Sequence, residues 1–169
     1  TAVDRAESEP DEAFLVNADG TRNIAMAAEE VGAKLCYVST DYVFDGRKGR
    51  PYDEYDDTNP MNVYGRSKRA GEWLVQALCR KFFIVRTAWV YGAHGQNFVK
   101  TMLRLARERD VIRVVDDQIG SPTYTVDLAC FLARLVVADR YGIYHATNAG
   151  SCSWYEFARA IFEEAGLHV

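Results

Sequence analysis

The sequence predicts an α/β fold built around a doubly wound parallel sheet of the Rossmann-like kind. Two short, nearly continuous apolar segments, 34–39 and 82–87, are typical of strands that are buried on both faces of a parallel sheet. Amphipathic segments of roughly 10–20 residues lie between such strands, and strands that alternate with helices indicate βαβ units. No internal repeat or low-complexity linker interrupts this alternation.

The elements of the first half follow from apolar spacing and stop signals. The first helix is predicted over 11–31, and Gly32 ends it because glycine readily adopts the left-handed conformation. After strand 34–39, the charged segment 45–60 is too polar for the core and is predicted to be a surface loop. The next helix is predicted over 62–79. The apolar sides of the two helices are predicted to be Ile24, Ala27, Ala28 and Val31, then Ala70, Leu74, Ala77 and Leu78.

The second half continues in the same way. Its elements are predicted as strand 82–87, helix 98–109, strand 111–115, helix 126–138, strand 142–147 and helix 154–165. We therefore expect one domain, or a large piece of one, since 169 residues can bury a sizeable core.

Composition and charge exclude several classes of protein. The net charge of −4 gives no support for nucleic-acid binding, which usually requires a basic patch. No apolar run approaches the length of a membrane span. The polar, acidic segment 1–11 is unlike a signal peptide. These features favour a cytoplasmic protein.

The cysteines and histidines indicate neither a disulfide framework nor a metal site. The four cysteines contain no C-x-x-C pair, and Cys36 and Cys130 lie in apolar segments, so buried free thiols in a reducing compartment are expected. The three histidines lie far apart, without metal-ligand spacing. We expect no metal ligands among these side chains. The residues concerned are Cys36, Cys79, Cys130, Cys152, His94, His145 and His168.

Tyr64 and Lys68 are the most informative pair in the chain. Four residues apart on a helix, they share one face with about 5–6 Å between Cβ atoms. An ammonium at that distance lowers the pKa of a phenol from its usual value of about 10, which suits proton transfer near neutral pH. Tyr64 could instead cap a helix and Lys68 could be a solvated charge. Catalysis is favoured because Ser39 and Thr40 end a buried strand upstream, at the sheet edge where ligands bind.

Other motifs carry weaker signals. Trp89 and Tyr91 follow a strand end and are interpreted as pocket lining, although they could simply pack under a loop. The acidic residues between 53 and 57 are interpreted as solvated loop charges. The glycines form only isolated G-x-x-G pairs, whereas a dinucleotide site of this kind needs a glycine-rich turn after its first strand. We therefore expect the chain to start after that motif, and the fold to be incomplete at both ends.

Several segments together resemble the extended short-chain dehydrogenase/reductase family along nearly the whole chain. The tyrosine–lysine pair is shared by the whole superfamily, whereas Ser-Thr-Asp-Tyr-Val-Phe-Asp-Gly and Asp-Gln-x-Gly-Ser-Pro-Thr are much narrower. The matching segments are 39–46, 51–54, 59–60, 64–68, 86–92, 97–98 and 116–123.

The resemblance implies a role for each matching residue. It implies Tyr64 as general acid, and Lys68 as the partner that lowers its pKa and binds the nicotinamide ribose. Thr40 would hydrogen-bond the sugar carbonyl as a third catalytic residue. Further contacts are implied for Thr1 and Ser39 with the cofactor, and for Asp41 and Trp89 with the substrate.

The resemblance also implies an activity and a place in a larger domain. The expected reaction is reduction of dTDP-4-dehydro-6-deoxy-L-mannose to dTDP-L-rhamnose with NADPH or NADH, with Mg²⁺ possible on resemblance alone and a homodimer possible. Residues 1–169 would form the central part of one NAD(P)-binding domain, with parts of the substrate-binding region at approximately 89–125 and 145–169. A non-catalytic regulatory subunit of the methionine adenosyltransferase type, or a nucleotide-sugar epimerase or dehydratase, would share much of this pattern.

Overall fold

The structure is a computed structural model that describes residues 3–167. The chain divides into two compact units, Thr1–Thr87 with Ala133–His145, and Ala88–Leu132 with Ala146–Val169. The strands are β1 Leu35–Thr40, β2 Phe82–Thr87, β3 Val90–Tyr91, β4 Ile119–Gly120, β5 Thr123–Tyr124, β6 Gly142–His145 and β7 Cys152–Ser153. The α-helices are α1 Val3–Ser8, α2 Pro10–Phe14, α3 Thr21–Glu30, α4 Val63–Leu78, α5 Phe98–Glu108, α6 Thr125–Leu135 and α7 Trp154–Glu164. A π-helical turn spans Leu15–Gly20, and a 3₁₀ turn spans Asp41–Val43.

A parallel sheet in the order β1-β2-β6 forms the centre of the first unit, which confirms the predicted α/β class. Phe83, Ile84 and Val85 of the middle strand β2 are fully buried, as its apolar sequence predicts. The expectation of burial on both faces is wrong for Val38 of β1, which is 41% exposed. In the described part of the sheet, β1 pairs with β2 alone, so it lies at the edge.

The predicted helix 11–31 is interrupted by the π-helical turn. Gly32 ends it in the left-handed conformation with φ +69°, as expected. The predicted apolar side is wrong, because Thr21 and Ala25 face the core whereas Ile24 and Val31 are 60% and 77% exposed. A π turn takes more residues than an α turn, so it rotates the following residues relative to an uninterrupted helix.

Helix α4 carries the predicted tyrosine–lysine pair, and its predicted position is confirmed. The side chain of Asn62 caps it by accepting from Gly65 N (2.7 Å), and Glu7 Oε1 accepts from Val63 N (2.6 Å). The predicted buried side is wrong: Ala77 is exposed, Ala70, Leu74 and Leu78 are only half-buried, and another side of the helix faces the core. The buried residues of α4 are Val63, Gly65, Ser67, Gly71, Glu72 and Val75.

Gly71 shows why this side of α4 is built from small residues. A Cβ atom at Gly71 would lie 2.4 Å from the Tyr37 hydroxyl and 2.5 Å from the Asn17 carbonyl oxygen. The helix therefore lies closer to β1 and to the π-helical turn than larger side chains would allow. This close approach brings Tyr64 and Lys68 to the end of β1.

Segment 45–60 forms an irregular loop, as predicted, but several of its polar side chains are engaged. Lys48 pairs with Asp56, and the Tyr52 ring stacks on Phe44 with centroids 4.2 Å apart. Glu54 Oε1 accepts a 2.9 Å hydrogen bond from the backbone of His145 at the end of β6. The interpretation of this acidic cluster as solvated charge is therefore wrong for Glu54 and Asp56.

The second unit has a small core between α5 and α7. Met102, Ala158 and Ile161 form its buried centre, and Ile112 and Val114 pack against it. The predicted strand 111–115 is wrong, because this segment is irregular and packs on the helices instead of pairing with a strand. Two-residue strand pairs form elsewhere in this unit, β3 with β5 and β4 with β7.

The four cysteines are free thiols, as expected. Cys79 is buried and donates to the Ala25 carbonyl, and Cys36 is half-buried. The expectation that Cys130 is buried is wrong, because α6 has no buried residue and Cys130 lies on its exposed surface. Within residues 3–167, no helix combines the length and the apolar character that crossing a membrane requires.

Candidate active site

The end of β1 presents Thr40 and Asp41. Thr40 Oγ1 donates to Asp41 Oδ1 (3.0 Å) and accepts from Tyr42 N (3.2 Å), so Thr40 caps the 3₁₀ turn that follows the strand. Burial raises the pKa of the Asp41 carboxyl above its ordinary range. Two oxygen-bearing side chains are thus fixed at the carboxyl end of a parallel strand, where α/β sheets bind ligands.

Tyr64 lies in the first turn of α4, against this 3₁₀ turn. The rings of Tyr42 and Tyr64 meet edge to face with centroids 5.7 Å apart. A Cβ atom at Gly65 would lie 2.2 Å from the Tyr42 carbonyl oxygen, so glycine is required for this approach. Tyr64 also lines a cleft of about 160 Å³ with residues of the segment 5–17. The other lining residues are Arg5, Ala6, Glu9, Glu12, Ala13, Val16 and Asn17.

Lys68 lies one turn further along the same face of α4. Its Nζ donates to the Val38 carbonyl (2.8 Å) and lies 4.0 Å from the centre of the Tyr37 ring. Burial lowers the pKa of Lys68 to about 8, although the nearby Glu72 carboxylate favours the charged form. An ammonium with this pKa lies close to its charge transition at physiological pH.

A buried ion pair that the sequence interpretation missed lies beneath these residues. The Glu72 carboxylate is 0% exposed and accepts from Arg86 Nε (2.9 Å) and Arg86 Nη2 (2.8 Å). Ser39 Oγ donates to the same carboxylate at 2.6 Å. A signal was present in the sequence, because an arginine inside a buried strand needs a carboxylate partner.

Asn17 was also missed. Its side-chain amide donates to Ser67 Oγ (3.0 Å), and Ser67 Oγ donates to the Tyr64 carbonyl (2.8 Å). Its own carbonyl accepts from Thr21 Oγ1 (2.8 Å) and from the Tyr37 hydroxyl (3.4 Å). Asn17 lies within the π-helical turn, and such turns often occur at functional sites. Apolar periodicity alone gives no signal for a π turn.

Thr87, the last residue of β2, lies beside Thr40 at the carboxyl ends of the two strands, since the two residues are partners in the β1–β2 register. The Thr87 hydroxyl is buried and has no hydrogen-bond partner within the described part of the chain. Buried hydroxyls are nearly always hydrogen-bonded, so an orphaned one at a strand end indicates a place where a polar ligand can bind.

Trp89 belongs to the second unit and is held by packing. Its ring stacks on Trp154 with centroids 3.5 Å apart, and a Cβ atom at Gly120 would lie 2.4 Å from the Trp89 indole. Its backbone has φ +48°, a left-handed conformation that is strained for a bulky residue and often occurs at functional sites. A substrate contact for Trp89 stays a prediction.

The structure brings five of the predicted site residues together in the first unit. They are Ser39, Thr40, Asp41, Tyr64 and Lys68. Thr1, a predicted cofactor contact, lies outside the described residues. Among residues 3–167, no group of three or more His, Cys, Asp or Glu side chains is arranged to hold a metal ion.

Comparisons with known proteins identify relatives of the whole chain. The family model described as RmlD substrate binding domain matches residues 1–169. The dTDP-4-dehydrorhamnose reductase of Escherichia coli (strain K12) is 50% identical over 170 residues, which cover 98% of this chain and 57% of that protein. The spore coat polysaccharide biosynthesis protein SpsK of Bacillus subtilis (strain 168) is 50% identical over 167 residues, which cover 99% of this chain and 59% of that protein.

A solved structure of the same enzyme also matches the whole chain. The crystal structure of dTDP-4-dehydrorhamnose reductase from Bacillus anthracis in complex with NADP superposes with a TM-score of 0.98 at 55% identity, covering all of this chain and 60% of that one. The chain therefore spans about three-fifths of the length of the relatives it matches. The match of the family model over 1–169, together with these identities, shows that the chain belongs to the RmlD substrate binding domain family.

Proposed function

We propose that the full-length protein reduces dTDP-4-dehydro-6-deoxy-L-mannose to dTDP-L-rhamnose with NADPH or NADH, in rhamnose biosynthesis. One observation carries this proposal: Tyr64 and Lys68 share a face of α4, beside the turn that Thr40 caps at the end of β1. Relatives of about 50% identity named dTDP-4-dehydrorhamnose reductase support it. The structure of one such relative in complex with NADP supports the cofactor class.

The residues present fit a nicotinamide cofactor. The orphaned Thr87 hydroxyl lies at the carboxyl end of β2, and the Lys68 ammonium uses one of its three donors for the Val38 carbonyl while it lies over the Tyr37 ring. Lys68 and Tyr64 would hold the nicotinamide riboside, and the bound cofactor would supply the hydride. Ser39 donates its hydroxyl to Glu72, so a direct contact of Ser39 with the cofactor stays a prediction, as does that of Thr1.

The side chains of this chain would control the proton and the developing charge. As negative charge grows on the sugar C4 oxygen, the Tyr64 hydroxyl would donate its proton to that oxygen. The Lys68 ammonium would stabilise the resulting phenolate through electrostatic attraction. Thr40 Oγ1, which now donates to Asp41, would donate to the reacting oxygen instead. Asp41 and Trp89 would contact the sugar.

Two alternatives use the same fold. A non-catalytic regulatory subunit would not need Thr40, Tyr64 and Lys68 together, and this chain retains all three. An epimerase or dehydratase would use the same tyrosine and lysine, but the Asp-Gln-x-Gly-Ser-Pro-Thr segment at 117–123 favours the reductase. Solved dTDP-glucose 4,6-dehydratase is 19% identical, and this likeness shows the fold alone.

Substitution of Tyr64 by phenylalanine in the full-length protein tests the proposal. We expect turnover of the dTDP sugar, followed as oxidation of the reduced cofactor, to fall by about 10²–10⁴-fold, because the general acid is lost. Affinity for the dTDP sugar should change by about twofold or less, since the ring remains. Tyr55→Phe is the matched control, because Tyr55 is 97% exposed. Full turnover by Tyr64→Phe would remove the mechanism, and a wild-type protein that binds but never reduces the sugar would favour the regulatory alternative.

We also infer a cytoplasmic location and a homodimer. The free thiols support the cytoplasmic location, because a reducing compartment keeps cysteines unpaired. Sedimentation of the full-length protein tests the dimer.

A further inference from the structure

Two successive turns of α4 bind two successive residues of β1. Lys68 Nζ donates to the Val38 carbonyl (2.8 Å), and Ser39 Oγ donates to Glu72 Oε1 (2.6 Å). Thr40 follows directly in the strand. The helix that presents Tyr64 is therefore tied, at two adjacent points, to the strand that presents Thr40.

The Glu72 connection is the more rigid of the two. Both Glu72 oxygens accept from the Arg86 guanidinium of β2, and one also accepts from Ser39. Charge-assisted bidentate bonds fix orientation as well as distance, and the carboxylate and guanidinium are 0% and 4% exposed. Lys68, by contrast, holds its carbonyl through one point contact at the end of a flexible side chain.

Resting on the proposed reductase function, we propose that Glu72 is a positioning residue that keeps α4, which carries Tyr64, in register with β1, which carries Thr40. The Lys68 ammonium has three donors, of which one reaches the Val38 carbonyl, and in the proposed mechanism the others would face the Tyr64 phenolate and the cofactor. The Ser39–Glu72–Arg86 connection holds the residue before Thr40 against the helix that presents Tyr64. A second consequence is electrostatic, because Glu72 lies one turn from Lys68 and favours its charged form.

Several other charged and titratable groups lie on the elements packed around Lys68. Tyr37 of β1 lies under the ammonium, and Tyr64 lies one turn before it on α4. Asp41, at the end of β1, accepts from Thr40. The two cations beside Glu72 are Arg86 and, at 3.8 Å, Arg69. Removing the Glu72 charge therefore leaves the two arginines without the carboxylate that balances them, and Lys68 without the carboxylate that favours its charged form.

Two variants of the full-length protein test separately the register of α4 on β1 and the negative charge of Glu72. Ser39→Ala removes one connection to β1 and leaves the Glu72–Arg86 pair intact. We expect kcat to fall about tenfold with KM for the dTDP sugar changed by about twofold or less, because misplaced groups slow the chemical step more than binding. Ser39→Thr, which restores the hydroxyl, should recover most of kcat.

Glu72→Gln keeps an oxygen acceptor for Ser39 but removes the charge. We expect the Lys68 ammonium, followed by NMR of its side-chain nuclei, to titrate at lower pH than in the wild type, and the alkaline limb of the kcat profile to move with it. Glu108→Gln is the matched control. Glu108 follows Arg104 by four residues on a helix, as Glu72 follows Lys68, but the Arg104–Glu108 pair is exposed.

The outcomes are distinguishable. A lower melting temperature with an unchanged Lys68 titration and an unchanged pH profile would mean that Glu72 is merely structural, and would overturn the proposal. A wild-type protein without reductase activity would contradict the proposed function instead. The Lys68 titration in Glu72→Gln would still decide the role of Glu72.

Discussion

The two units of this molecule fix their important side chains by different interactions. In the first unit, Ser39, Glu72 and Arg86 are buried polar groups that directional hydrogen bonds hold in place. In the second, Trp89 and Trp154 are held by ring stacking. A hydrogen bond fixes both distance and angle, whereas stacked rings can slide at little cost. Proton transfer needs the first kind of precision, and the groups proposed for it are in the first unit.

The largest loss of stability that this comparison predicts is for the substitution Glu72→Leu. Removing the carboxylate leaves the Arg86 guanidinium buried without its partner, and the free energy of unfolding should fall by about 3–5 kcal/mol. Urea denaturation of the full-length protein measures the change.

A second substitution checks the cause of this loss. Glu72→Leu combined with Arg86→Met removes both charges and should recover most of the lost stability, because apolar groups can replace a buried ion pair. If the double variant is as unstable as the single one, packing around the side chains matters more than their charge.

Two glycines sharpen the same contrast. A Cβ atom at Gly65 would meet the Tyr42 backbone carbonyl at 2.2 Å, whereas one at Gly120 would meet the Trp89 ring at 2.4 Å. Backbone held by a 3₁₀ turn cannot move aside, so Gly65→Ala should cost about 2–3 kcal/mol and lower kcat. Gly120→Ala should cost about 1 kcal/mol, because a ring can shift. Thermal unfolding of the two variants compares them, and equal losses would show that the Trp89 ring is as fixed as a peptide group.

The sequence predicted the first unit better than the second, and for a physical reason. Strand 82–87 buries a continuous apolar run, and such a run leaves a pattern in the sequence, while α4 was predicted at the right position but with the wrong buried side. Segment 111–115 is equally apolar, but it packs irregularly against α5 and α7. An apolar run shows that a segment is buried, and partners distant in the sequence decide whether it becomes a strand.

Within the candidate site, sequence spacing gave the helix that carries Tyr64 and Lys68 and the strand end with Thr40. It missed Glu72 because a fully buried carboxylate on a helix looks like any other charge until its partners on β1 and β2 are known. Asn17 was missed because its role depends on a backbone turn. Both residues act through contacts that are distant in the sequence, and a local pattern such as an arginine in a buried strand indicates that a partner is needed without identifying it.

The last predicted effect concerns the stability cost of the buried Lys68 ammonium. Burial lowers the pKa of Lys68 from 10.5 to about 8, so between these two values the unfolded chain binds more protons than the folded one. Wild-type stability should therefore rise with pH across that window. At pH 7 the buried ammonium opposes folding, and Lys68→Met should raise the free energy of unfolding by about 1–2 kcal/mol while abolishing turnover. The advantage of the variant should shrink as pH rises from 8 toward 10, because the wild-type lysine loses its charge.

Denaturation curves at several pH values test this prediction. Lys81→Met is the matched control, because Lys81 also donates to a backbone carbonyl but is exposed, so its substitution should leave the dependence on pH unchanged. A constant difference between Lys68→Met and wild type across the window would mean that the ammonium is as well solvated in the folded protein as in the unfolded chain. The result expected here would show that the first unit gives up stability to keep a charge beside Tyr64, a cost that the stacked rings of the second unit do not carry.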